Sequence, residues 1–215
     1  LSMLLITIIL CNQTIEYYDT GEIREVRSYN EIRNKLEVVK VKRYYKNGQL
    51  KEEENYRNGK LDGQIFSYCK NGNLDQSGFY RNGLMNGEWK YFRCDGTLFG
   101  KGRFLNGNNI NHDDVSGIPH NGRTGIWKFY YEDGQKIYLY QTHRYGEFDG
   151  LFKCYSRLGE VISNGFYKND KKWDGSFPGS FDSYGEVLSV DYYQNGQIII
   201  DESLKTFLKG YWKRI

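Results

Sequence analysis

Residues 44–63 read YYKNGQLKEEENYRNGKLDG, with Asn-Gly at 47–48 and again at 58–59. Asn-Gly between apolar residues is the strongest short-range signal for a β-hairpin, because a type I′ turn needs φ > 0 at both central residues. Two such signals so close together define one strand with a reversal at each end. The fold therefore depends on whether this pattern recurs.

It does recur. Taking the turn glycines as Gly21, Gly48, Gly72, Gly96, Gly134, Gly159, Gly185 and Gly196, an aromatic stands four residues before each: Tyr17, Tyr44, Tyr68, Phe92, Tyr130, Tyr155, Phe181 and Tyr192. At 17% aromatic content, that coincidence has a chance on the order of one in a million. Two residues after the glycines come Ile23, Leu50, Leu74, Leu98, Val161, Val187 and Ile198, with Ile137 shifted by one in the Gly134 unit. Eight residues after them come Tyr29, Tyr56, Tyr80, Phe104 and Tyr167, and aligning RYGEFDG under RNGKLDG puts His143 in that place. Second turns follow at Asn58-Gly59, Asn82-Gly83, Asn106-Gly107 and Asn121-Gly122, and then fresh strands: GQIFSY, GEWKYF, GIWKFY, GLFKCY. The unit is strand, turn, strand, turn, with a period of 24 residues where it is cleanest. An insertion, NNINHDDVSGIPH at 108–120, breaks the rhythm, and the closing GYWKRI restarts a unit as a capping repeat does.

This pattern predicts an all-β fold: an extended antiparallel β-meander of repeated hairpins, largely a single-layer twisted sheet, over one repeat domain at 17–215. With two-residue hairpins throughout, Trp89, Trp127, Ile65 and Phe152 share a core face with the aliphatics after each glycine and with the Tyr eight residues on. The aromatics Tyr44, Tyr68, Phe92, Tyr130 and Tyr155 then form a ladder on the opposite face, and they are the candidate binding residues. Cross-strand stacking gives such a ladder a purely structural alternative role. Gly48, Gly72, Gly96, Gly134 and Gly159 are structural turn residues. A three-residue bulged turn would move the register and exchange the faces.

Composition narrows the function. A net charge of +3 over 215 residues does not suggest a nucleic-acid binder. The four cysteines, Cys11, Cys69, Cys94 and Cys154, lack any C-x-x-C pairing; no zinc site is expected, and they read as small buried residues. The apolar run Met3–Leu10 is too short to span a bilayer and fits the hydrophobic part of a secretory signal. Residues 1–16 thus read as a truncated signal peptide, with a buried first strand as the alternative, and export to the periplasm or cell surface is preferred over a cytoplasmic location.

Catalytic chemistry finds no foothold. No G-x-S-x-G elbow is present, and GEFDG and NGKLDG lack the Lys-Ser/Thr of a phosphate loop. Asp62, Asp149 and Asp174 precede glycines, where turns explain them. His112, Asp113, Asp114 and His120 match no metal-ligand spacing and read as a solvated polar loop, while His143 reads as a packed substitute for Tyr. The expectation is no enzyme, no metal and no cofactor.

YYKNGQLKEEENYRNGKLDGQIFSY (44–68) and YCKNGNLDQSGFYRNGLMNGEWKYF (68–92) resemble the bacterial MORN-repeat variant family, whose members include YwqK-type antitoxin-like proteins. The resemblance extends over about residues 17–200. It implies an open β-meander and a binding role: a protein-interaction scaffold whose partner is a protein, a toxin among the options, or an envelope component. The alternative is an exported glycan- or envelope-binding module that uses the aromatic ladder. Membrane association, which the repeat name suggests, finds no basic patch or amphipathic helix in the sequence.

Overall fold

The computed structural model describes residues 12–112, 116–181 and 187–199. The run Met3–Leu10, Cys11, Asp113, Asp114, the turn at Gly185 and the final GYWKRI lie outside the described residues. The described residues form fifteen strands: β1 (Gln13–Tyr17), β2 (Ile23–Ile32), β3 (Lys35–Tyr44), β4 (Leu50–Arg57), β5 (Lys60–Tyr68), β6 (Leu74–Arg81), β7 (Leu84–Phe92), β8 (Leu98–Gly107), β9 (Arg123–Tyr130), β10 (Ile137–Arg144), β11 (Glu147–Tyr155), β12 (Val161–Lys168), β13 (Lys171–Phe181), β14 (Val187–Gln194) and β15 (Gln197–Ile199). They make one antiparallel sheet in strict sequence order, β1 to β15. This is the expected meander.

The turns are of two kinds, and this corrects the expectation of two-residue hairpins throughout. At the second turns, both central residues have positive φ: Asn58 and Gly59, Asn82 and Gly83, Asn195 and Gly196. These are type I′ geometries. At the first turns only the glycine does. There the Gly48 N–H donates to Tyr45 O at 2.9 Å and the Tyr45 N–H to Gln49 O at 2.8 Å, a three-residue loop in which glycine forms the bulge. Gly196, expected in a first turn, sits in a second one.

The bulged turns re-aim the aliphatics. Leu50 pairs with Tyr44, Leu74 with Tyr68, Leu98 with Phe92 and Val161 with Tyr155. Directly opposed residues share a face. These aliphatics therefore lie beside the aromatic ladder, on the outer face, and not with the tryptophans.

The core face keeps the rest of its predicted membership. Ile65, Trp89, Trp127 and Phe152 are buried, as are Tyr80 and Phe104. Trp127 is wholly inaccessible, although no second layer of secondary structure lies among the described residues. Glycine makes this possible. A Cβ on Gly78 would lie 2.1 Å from the Trp89 indole, one on Gly102 2.1 Å from Trp127, and one on Gly165 2.4 Å from Phe177. Each large ring lies flat over the bare backbone of the preceding strand. Burying a ring of this size stabilises by about 2–3 kcal/mol.

The insertion completes the cover, which corrects its reading as a solvated loop. Ile118 is buried in the same cluster as Trp89 and Trp127. Arg123 is fully buried, with its guanidinium 4.7 Å from the Trp127 ring centroid, and it donates from Nε to Pro119 O at 2.9 Å and from Nη2 to Ile118 O at 3.0 Å. His112 is exposed, while His120 packs 5.3 Å from His143 and 5.3 Å from Phe148. His143 is buried, in keeping with its reading as a packed aromatic substitute.

Neighbouring hairpins are tied at the first-turn edge by the residue three before the turn glycine in five units. Tyr18 Oη donates to Tyr44 O at 2.7 Å, Tyr45 Oη to Tyr68 O at 2.7 Å and Tyr131 Oη to Tyr155 O at 2.6 Å. Arg93 Nη2 donates to Tyr130 O at 2.6 Å. In the unit between, the same position is Cys69, which forms a disulfide with Cys94, Cα atoms 5.6 Å apart. One place in the repeat thus carries a phenol, a guanidinium or a disulfide that reaches the next hairpin, except in the Gly159 unit, where Ser156 accepts from Leu158 N and Glu160 N within its own turn. The reading of Cys69 and Cys94 as merely small buried residues is corrected.

Candidate functional site

The rings on the core face form two clusters. One runs from Ile65 to Phe129; the other centres on Phe152, Cys154 and Phe177, and Leu139 packs against both. Between them lies a groove of about 750 Å³. Its origin is legible in the repeat. Five residues before the turn glycine, β7 and β9 carry the large rings Tyr91 and Phe129, but β11 carries Cys154. The row of rings loses a member there, and the space stays open. Phe99, Phe129, Tyr138, Leu139, Phe152, Ile162 and Val187 give it an apolar lining.

Its margin is charged and well held. Arg93 lies over the Phe99 ring at 5.1 Å while donating to the Tyr130, Tyr131 and Leu98 carbonyls. Arg157 lies over Tyr131 at 4.9 Å and pairs with Glu132 at 2.6 Å. That hydrogen bond holds the Glu132 carboxyl below its ordinary pKa. Lys172 Nζ sits 5.4 Å from both the Phe177 and Tyr193 rings. Burial pushes the Tyr167 hydroxyl, at the groove wall, up to about 12. An apolar trough under a mainly cationic rim suits apolar side chains flanked by acidic ones. Among the described residues, no group of three or more histidine, cysteine or carboxylate side chains is placed to hold a metal ion.

The five ladder residues do not form one site. Tyr130 and Tyr155 help line the groove, Tyr68 lies beside the disulfide, and Tyr44 and Phe92 line neither place. Tyr130 is buried and the other four are half-buried. Sequence reasoning passed over the groove because its signal is a missing ring at Cys154. It also passed over the disulfide, although Cys69 and Cys94 are 25 residues apart, one repeat plus one.

Residues 38–58 and 123–142 match the family model described as the MORN repeat variant. The first stretch covers the β3–β4 hairpin and the second β9–β10. They support MORN-type repeats in this chain, as the sequence resemblance implied. A comparison with curated proteins returns no match.

Proposed function

We propose that this MORN-repeat chain is a non-enzymatic scaffold that holds a protein partner by its core-face groove, and that it works outside the reducing cytoplasm. The groove carries the reading: about 750 Å³ of mostly apolar space on the core face, bordered by Arg93, Arg157 and Lys172. The Cys69–Cys94 disulfide supports the location, because such bonds persist in exported proteins and are rare in the cytosol. It also makes a cytosolic antitoxin the weaker version of the reading, while a toxin met in an oxidising compartment stays within it. Of the ladder residues, only Tyr130 and Tyr155 enter the proposed site.

The test is Cys154→Phe. It restores the ring that β7 and β9 carry at this place, so the fold is expected to hold and the groove to close. Partner recovered by in-cell cross-linking to the wild-type chain is expected to disappear with the variant. Retention of the same cross-linked partner by a folded Cys154→Phe protein would reject the groove. Fractionation of the producing cells tests the location, and an intact chain confined to the cytosol with reduced Cys69 and Cys94 would reject export.

A further inference from the structure

The outer face of β7–β11 carries a feature that the groove does not use. Six residues before the turn glycine, the repeat places Lys42, Lys90, Lys128 and Lys153. The sheet register then aligns lysines from successive strands. Lys90 pairs directly with Lys101, Lys101 with Lys128, Lys128 with Tyr140, and Tyr140 with Lys153. Four lysines thus span five adjacent strands in one row, about 19 Å long at ordinary strand spacing.

Like charges directly opposed across strands destabilise a sheet. The first unit shows how the same chain avoids that cost: Lys42 faces Glu53 and pairs with it at 3.3 Å. In the row, Glu88 pairs with Lys90 at 3.2 Å. Among the described residues, no carboxylate lies within ion-pair distance of Lys101, Lys128 or Lys153. Apolar side chains border the row on both sides. Ile126, Leu151 and Phe166 are exposed along one side; the pairs Phe92–Leu98, Tyr130–Ile137 and Tyr155–Val161 run along the other. Lys101 Nζ sits 5.9 Å from the Tyr130 ring centroid.

We propose that this row is a second binding surface, for a linear acidic polysaccharide lying across the strands, with uronate carboxylates on Lys101, Lys128 and Lys153. Three observations select that occupant. The unneutralised row calls for a partner with repeated negative charge. A sugar unit is about as long as the gap between strands, so one chain reaches successive lysines, and the apolar faces of its rings meet the bordering aromatic and aliphatic side chains. The surface is a sheet face with its backbone already paired, so an acidic peptide finds none of the main-chain hydrogen bonds that sustain strand addition.

The probe is a short polygalacturonate oligomer, titrated against the full-length chain at physiological salt. Its fully methyl-esterified form, oligo-dT, polyglutamate and phosphatidylglycerol vesicles are the competitors. The acid oligomer is expected to bind, the ester not to bind, and the other anions to bind at least tenfold more weakly. Lys101→Glu is expected to weaken binding by roughly tenfold or more while raising Tm by about 1–4 °C, since it gives Lys90 and Lys128 an opposed carboxylate. Lys128→Gln is expected to weaken binding with little change in Tm. Cys154→Phe is expected to leave this binding unchanged, so failure of the groove and failure of the row are separate results. The proposal is overturned by equal binding of the ester, by equal or tighter binding of DNA, polyglutamate or vesicles, by unchanged affinity in both lysine variants, or by no binding of the acid oligomer.

Discussion

The hairpins β2–β4 and β7–β13 share one repeat and fill its core face in opposite ways. In β2–β4, Val41 is the buried apolar residue and lies opposite Arg27, while Glu25 is buried as well and Arg43 stands where Tyr91 and Phe129 stand later. Arg43 bonds Glu25 at 2.9 Å, Glu52 at 3.0 Å and Glu54 at 2.8 Å, and Tyr56 donates to Glu54 at 2.7 Å. In β7–β13 the same face carries Trp89, Trp127 and Phe177, each over a glycine. The rule is volume complementarity. Small aliphatics such as Val41 and Ile65 face long polar side chains (Arg27, Glu54), and each of the largest rings has a glycine on the preceding strand beneath it. In β2–β4 the charged groups satisfy one another in a network around Arg43, whereas a ring face becomes the core and supplies the groove. The binding surfaces proposed above therefore belong to the second region.

The largest effect that would break this comparison lies at the ring–glycine contacts. Trp127→Ala is expected to cost about 3–5 kcal/mol, against about 1–2 kcal/mol for Val41→Ala at the equivalent place. Gly102→Val puts a Cβ where the Trp127 indole lies and is expected to prevent folding. Denaturant unfolding measures the first two, and soluble yield with circular dichroism the third. Equal costs for Trp127→Ala and Val41→Ala would mean that the rings are no more central than the ionic face.

Next comes the edge link that ties the β5–β6 hairpin to the second region. Replacing Cys69 and Cys94 with serine opens a cross-link with a sequence separation of 25 and is expected to cost about 3 kcal/mol. Tyr131→Phe removes one hydrogen bond at the equivalent position and is expected to cost about 1 kcal/mol. Thermal unfolding with and without reductant separates them. A reductant-insensitive Tm would show that the repeat position matters more than the covalent bond.

The meander was legible in the sequence because aromatic, glycine and aliphatic recur at fixed offsets, and that periodicity depends only on local chain geometry. The core tryptophans were legible by the same alternation. The placement of Leu50, Leu74 and Leu98 was not, because Asn47-Gly48 and Asn58-Gly59 look alike as dipeptides and differ in loop length, which the closing pair Tyr45–Gln49 decides. The candidate site was legible only in part. Tyr130 and Tyr155 reach the groove, but the cavity comes from the small Cys154, and an absence of volume has no motif. The lysine row was written in the repeat at Lys90, Lys128 and Lys153, yet its meaning needed the cross-strand partners, and a net charge of +3 concealed it.

A third, smaller effect separates the regions by pH. Burial pushes the Glu53 carboxyl up, but hydrogen bonds from Lys40 and Lys42 outweigh it, so its pKa is lowered in the fold. Its contribution is present above the unfolded value and lost as pH falls through the folded one. Burial, followed by the Glu54 charge, raises Tyr80 to about 12; burial, followed by Tyr193, raises Tyr167 to about 12. Their contribution is complete below the ordinary value of 10.0 and lost as pH rises toward 12. Acid is expected to weaken the Glu53 pairs of β3–β4, and alkali the ring clusters at Tyr80, which packs from β6 on Trp89, and at Tyr167 in β12, read by hydrogen exchange or by proteolysis with a broad-range protease. Arg43→Met, which takes the guanidinium from Glu52 and Glu54 while Glu25 keeps Arg27, is expected to cost about 1–2 kcal/mol at neutral pH and less in acid. Simultaneous loosening of both regions at either extreme would show that the sheet unfolds as one unit and that its faces are not separable.

The smallest effect is the control. The type I′ turns at Asn58-Gly59, in the ionic region, and at Asn82-Gly83, before the ring region, place asparagine at φ 50° and 52°. Alanine tolerates that conformation poorly, so Asn58→Ala and Asn82→Ala are each expected to cost about 1 kcal/mol. Asn47 has no such φ. It accepts from the Gln49 N–H at 3.1 Å and donates to Lys70 O at 2.9 Å, and Asn47→Ala is expected to cost about 0.5–1 kcal/mol for those bonds alone. The difference between the regions lies in what covers the sheet, so a substitution confined to backbone conformation has no reason to distinguish them. Matching costs for Asn58→Ala and Asn82→Ala by denaturant unfolding assign the difference to the faces. Costs that differ by more than about 1 kcal/mol would mean that the ring face also fixes its turns, and the two regions would then differ in backbone as well as in cover.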